Sequence, residues 1–325
     1  MEHTSSKEPL IYTASAPGSL MLFGEHAVLY GKQALCCAVD QRITVTLKPR
    51  VDRKIQIQTL QLGAGIFDLD NLEPKAPFEF ILTATQQLHE HLPSGFDLSV
   101  QADFSSTMGL GSSSAVTVAT LGALSQWLGF NFSKEQLFQE AKAVILTVQG
   151  VGSGADVAAA VYGGIVAYRI NPLSIQSFAV NPDISLVYSG AKVPTRTVIQ
   201  IVAEKQRANP GYYESLYEQI DGCARQAVQY VKVKNWPDLG RLMTQHHDLQ
   251  VSLGVSTPLL NELVLAFNQH PEIYGAKISG SGLGDCVIAL GKIPENTFPA
   301  NETQEQKGVK QIPVRISPTG YKNDG

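Results

Sequence analysis

A chain of 325 residues with 44% hydrophobic and 17% charged side chains is a globular sequence, too long for one ordinary core and predicted to form two domains. Its net charge of −4 offers no basic footprint for nucleic acid or an anionic membrane, and no apolar run approaches the roughly 20 residues of a membrane span. The opening MEHTSSKEPLIY has no basic region followed by an apolar one, and Cys36, Cys37, Cys223 and Cys286 show no CxxC spacing, so buried free thiols in a reducing cytoplasm are expected.

In chain order, a glycine cluster (APGSLMLFGEH, 16–26) precedes RITVTLKPRVDRKIQIQTL, which reads as two strands joined by a polar turn containing Pro49, Arg50 and Asp52. PFEFILTATQQLHEHL has a helical pattern, with Pro77 suited to the first turn. Phe96, Leu98, Val100 and Ala102 alternate along a half-buried strand. GLGSSSAVTVATLGALSQWLG (109–129) runs from small residues into a long apolar helix. In the next helix, Ser133 and Gln136 have the spacing of a capping box. A loop around Pro172 and Pro182 divides the chain into domains 1–175 and 176–325. Beyond it come a strand (ISLVYSG), helices over 195–208, 211–233, 237–253 and 257–269, and two strands, AKISGS and GDCVIALG, around a Gly/Ser turn. VRIS is a further candidate strand, and PENTFPANETQEQKG reads as a solvated loop. Strands mixed with helices in the first half, and helices on one face of a small antiparallel sheet in the second, give an α+β class.

The start of the 109–129 helix has two readings. Either Ser112 or Ser113 is an ordinary N-cap, or the run of small residues leaves backbone N–H groups open to an anion at the positive end of the helix dipole. Further glycine clusters at QGVGSGAD (149–156), YGG (162–164) and ISGSGLGD (278–285) would let several loops converge on one polyanion. Neither a GxxxxGK[ST] loop nor GxGxxG spacing is present at GLGSSS. Adjacent His246 and His247 read as helix surface or a substrate-side loop, not metal ligands.

SAPGSLMLFGEHAVLYG, GLGSSSA and KISGSGLGDCVIAL resemble, in order, the three signature motifs of the GHMP small-molecule kinases. GEHAVLYGK and HHDLQVSLGVSTPLLNEL are similar to the mevalonate kinase branch; GSGADVAAAVYGG and GDC are closer to the phosphomevalonate kinase branch. The resemblance implies a two-domain fold: an N-terminal mixed α/β ATP-binding domain, a C-terminal ferredoxin-like α+β domain, and an active site in the cleft between them. It implies ATP as phosphoryl donor with Mg²⁺, cradled by Gly109, Leu110, Gly111, Ser112, Ser113 and Ser114, with Ser113 reaching the metal. Asp156 matches the catalytic aspartate; Ser19, Glu25, His26, Thr197 and Ser281 fall at substrate-facing positions. Two departures stand out. Ser19 replaces the usual lysine after APG, and Ile145 stands where a Mg²⁺-binding glutamate is expected. Lys192 is the candidate replacement cation. Mevalonate is the expected acceptor for a monomer or homodimer. The alternatives are phosphomevalonate, with Lys192, Arg196 and Lys205 forming a cationic pocket, another small alcohol or sugar, or a weakened paralogue acting as a metabolite sensor.

Overall fold

The glycine-bearing stretch SAPGSLMLF lies inside a strand, β1 (Tyr12–Phe23), in the computed structural model, which describes residues 10–324. β1 pairs antiparallel along β2 (Ala34–Pro49), with register shifts at Pro17/Ser19 and Met21/Phe23. Such irregularities re-aim side chains beside functional sites, and the first of them falls at Ser19.

β3 (Lys54–Thr59) forms a hairpin with β4 (Gly63–Asp68), but β2 and β3 are not neighbours. β5 (Phe96–Ala102) inserts between them, antiparallel to β2 and parallel to β3. The polar turn is clipped to the start of β5 by Arg50 N–H to the Gly95 carbonyl (2.9 Å) and Gly95 N–H to the Asp52 carbonyl (2.7 Å). Helix α1 (Glu79–Gln87) begins after an N-cap at Phe78, so Pro77 precedes the helix instead of opening it. α2 (Ser112–Trp127) lies buried against β1. α3 (Lys134–Gln149) carries the expected Ser133/Gln136 capping box. α4 (Ala155–Tyr162) leads into the hairpin β6 (Ile165–Arg169) and β7 (Ser174–Phe178).

β8 (Ile184–Tyr188) opens the second layer, followed by α5 (Thr195–Ala208), α6 (Pro210–Val233), α7 (Trp236–Leu253) and α8 (Pro258–Asn268), close to the expected ranges. β9 (Ile273–Ser279) and β10 (Cys286–Gly291) frame the Gly/Ser turn. The supposed solvated loop after β10 buries Phe298 and Gln304 and contains a short helix, α9 (Glu302–Gln306). Its polar composition concealed two inward-facing anchors. β11 (Lys310–Ile312) forms just before VRIS, of which Ile316 makes only an isolated bridge to Val39.

Two sheets result. Eight strands run in the order β12-β1-β2-β5-β3-β4, with β6 and β7 continuing from β2; four antiparallel strands run β11-β8-β10-β9. β12 (Lys322–Asn323) returns the tail to β1, so the first sheet takes strands from both ends of the chain. The α+β organisation expected from the sequence holds. Cys36, Cys37 and Cys286 are buried and all four thiols are free.

Candidate active site

The N-terminus of α2 decides between the two readings of its serines. Gly111 is the N-cap, with φ 63°, and no side chain caps the helix. Ser112, Ser113 and Ser114 occupy the first turn, where the N–H groups have no intrahelical partner. A Cβ on Gly111 would lie 2.1 Å from the Ser19 hydroxyl, so glycine is required by both its left-handed backbone and the close approach. This helix end opens on a cavity of about 800 Å³ that is lined by Gly109, Gly111 and the three serines, and on its other walls by residues of β1, α4, α5 and the β9–β10 turn. Leu110 does not line it. Its side chain is buried in the core, and its carbonyl accepts the Ser19 N–H at 3.0 Å.

Asp156 sits in the first turn of α4 and faces the same cavity. The surrounding protein excludes enough water to raise its carboxyl above the ordinary aspartate value; a bond from the Ser19 hydroxyl (2.8 Å to Oδ1) and the charge of Lys192 both oppose the rise. Ser19 thus links the carboxylate of Asp156 to the start of α2, whose Gly111 its hydroxyl crowds. Removing that bond in Ser19→Ala should raise the Asp156 pKa further, so the acid limb of the kcat pH profile should move to higher pH. An unmoved limb would show that the bond does not tune the carboxylate.

Lys192 follows β8 on an exposed loop, lines the cavity, and donates from Nζ to the Ser106 carbonyl at 3.0 Å. Thr195, Arg196 and Ile199 of α5 line the cavity too. Thr197 is exposed and not among the lining residues, because it lies on a different face of the helix from Arg196 and Ile199. Lys205 turns to the Gly254 carbonyl (3.2 Å), away from the cavity wall.

Glu25, His26 and Ser281 converge although 255 positions separate the last two. Burial lowers the His26 pKa, and Nε2–H of the neutral ring donates to the Ser281 carbonyl at 2.8 Å. Glu25 forms a buried ion pair with Lys277 of β9. Burial raises the carboxyl and lowers the ammonium, and their mutual attraction opposes both shifts. His246 and His247 are buried, not on the helix surface as expected: His246 packs edge-on against Phe23 at the end of β1, and His247 meets the Asn261 side chain of α8 at 3.2 Å. His246 is held neutral by burial and by Lys277, and its Nε2 accepts the Gly24 N–H at 3.1 Å. Its approach to Glu25 (3.6 Å) is therefore not an ion pair.

Three residues gain a place that their sequence context does not signal. Lys277 was hidden in an apolar strand. Arg196, expected only in a phosphate pocket, lines the cavity in the first turn of α5. Asp285, in GDC, is 5% exposed as a residue and lines the cavity; burial pushes its pKa up to about 6 against the pull of Lys192. Its Oδ1 and Oε2 of Glu79, another lining residue, are buried without hydrogen-bond partners. Serine hydroxyls and carboxylates form an all-oxygen donor set, which suits Mg²⁺. Among the described residues no group of three or more His, Cys, Asp or Glu side chains is arranged to hold a metal. Ile145 lines the cavity and offers no oxygen. No helix among the described residues is long and apolar enough to cross a membrane.

Residues 79–164 match the GHMP kinases N terminal domain, and residues 225–306 the GHMP kinases C terminal domain; residues 2–49 match the galactokinase galactose-binding signature. The chain is 32% identical over 296 residues to the mevalonate kinase of Pyrococcus furiosus, covering 85% of this chain and 88% of the relative. A crystal structure of a mevalonate kinase superposes with a TM-score of 0.77 at 26% identity, covering 95% of this chain and 99% of that one. Streptococcus pneumoniae phosphomevalonate kinase, in complex with phosphomevalonate and AMPPNP, shares the fold (TM-score 0.75, 20% identity, 94% and 99% covered).

Proposed function

The chain belongs to the GHMP kinase family, and on that premise we propose that it transfers the γ-phosphoryl group of ATP to the primary hydroxyl of mevalonate in the cytoplasm, giving 5-phosphomevalonate. The observation that carries this reading is Asp156, held by Ser19 on the cavity wall into which the uncapped N-terminus of α2 points. Open N–H groups and the helix dipole suit the triphosphate. Asp156 orients the acceptor hydroxyl and takes its proton as the oxygen bonds to the γ-phosphorus and the bond to the β–γ bridging oxygen breaks, releasing ADP. A raised carboxyl pKa makes it a stronger base than an exposed aspartate.

Mg²⁺, when bound with ATP, neutralises charge on the phosphates. Ser113 is the first-turn hydroxyl suited to hold it, with the orphaned carboxylate oxygens of the cavity as further candidates. Lys192 stands in for the lysine absent at position 19, since its charge acts on both Asp156 and Asp285. Lys192→Met should therefore lower kcat by about 10², the scale of one lost transition-state donor. Turnover within about twofold of wild type would reduce Lys192 to a surface residue.

Arg196 and Lys192 line the cavity together with the aliphatic side chains of Val28, Leu29 and Ile199. That combination fits an alcohol with one anionic group and an aliphatic body. The deciding experiment is ADP release with mevalonate, phosphomevalonate and a sugar panel. Mevalonate should give the highest kcat/KM; preference for phosphomevalonate, whose dianion would engage both cations, would reassign the acceptor.

A further inference from the structure

The cavity holds more carboxylates than its cations balance. Asp156, Asp285, Glu79 and Glu25 line it against Lys192 and Arg196, with Glu25 already paired to buried Lys277. Asp285 is the most demanding of these. Its backbone is left-handed (φ 62°) and fixed by two bonds: its N–H to the Ala191 carbonyl at 2.8 Å, and its carbonyl from the Ser189 N–H at 2.9 Å. The carboxylate is thereby pressed onto the start of the phosphate loop, so closely that a Cβ on Gly109 would lie 2.9 Å from Oδ1. That oxygen is buried and has no partner. A buried acceptor without a partner is costly, and an ionised carboxylate beside a triphosphate adds like-charge repulsion. A hard cation bound there removes both penalties.

We propose that Asp285 is a carboxylate ligand of the divalent cation that accompanies the nucleotide, reaching across from the second sheet to complete, with Ser113, an oxygen set that Ile145 cannot supply. The proposal rests on the kinase reading above. It makes metal binding a bridge between the two layers: one ligand comes from the first turn of α2 and the other from the β9–β10 turn.

The test uses the full chain with Mn²⁺ as the metal probe and ADP as the nucleotide, followed by electron paramagnetic resonance for bound Mn²⁺ and calorimetry for ADP. Asn accepts the left-handed backbone readily, so Asp285→Asn should fold, and ADP binding in EDTA reports that the site is formed. In Asp285→Asn the Mn²⁺ affinity of the ADP complex should fall about tenfold or more, the scale on which damaged metal sites lose affinity, while ADP binding in EDTA holds or tightens. Asp285→Gly, which also tolerates the backbone, should reproduce the loss. Wild-type Mn²⁺ affinity in both variants would overturn the proposal and leave the kinase reading standing. An equal loss of ADP affinity with and without Mn²⁺ would also overturn it, assigning Asp285 instead to the placement of Lys192. Failure of the wild-type chain to bind ADP in either condition would sink the proposal together with the kinase reading.

Discussion

Asp156→Asn is expected to lower kcat by between about 10² and 10⁴, the range for removal of a general base, with ATP binding near normal. The substitution keeps the shape of the side chain, and its Oδ1 can still accept the Ser19 hydroxyl that now bonds the carboxylate at 2.8 Å. What disappears is the negative charge and the proton acceptor. The phosphate loop does not depend on either, since the α2 N-terminus is formed by Gly111 and the serines that follow it. Steady-state ADP release at saturating ATP and acceptor gives kcat, and nucleotide titration gives the binding control. Turnover within about threefold of wild type would remove Asp156 from the chemistry, and with it the main support for the proposed reaction.

Lys277→Met should destabilise the fold by about 3–5 kcal/mol, the cost of leaving a buried charge without its partner. Lys277 is 0% exposed and pairs with Glu25, whose second oxygen already lacks a partner. Methionine fills a similar volume, so the loss is electrostatic more than steric. Its sign with pH follows. Without the ammonium, the Glu25 carboxyl in the folded state rises further above its ordinary value of 4.5. Charging the buried carboxylate then opposes folding as pH rises from the unfolded pKa towards the folded one, and the opposition vanishes below both. The deficit should accordingly be larger at pH 8 than at pH 5 in urea denaturation. Adding Glu25→Gln to Lys277→Met should recover most of the loss, because both charges are then gone. A single variant that costs under about 1 kcal/mol at pH 8 would mean that Glu25 is solvated through the cavity.

Local chemistry determined much of this protein directly from its sequence. The Ser133/Gln136 box closes within three residues and was legible for that reason. The same holds for the extents of α5 to α8, since helical periodicity and end signals act over a turn or two. The motifs marked Asp156 and the small-residue entry to α2, which lie on one cavity. Partners distant in the chain were a different matter. A polar turn after β2 gave no sign that β5 would lie between β2 and β3, because strand pairing is settled by long-range register and burial. Gly111, not a serine, caps α2, since Ser19 of another strand leaves no room for a side chain there. His246, His247 and Lys277 are buried against partners far along the chain, Phe23 and Gly24, Asn261, and Glu25 respectively, which no property of their own segments reveals. Asp285 reads in sequence as one polar residue in a glycine turn. Pressed against Gly109 from the other sheet and shut away from water, it becomes an acceptor in need of a cation, and only the tertiary structure creates that need.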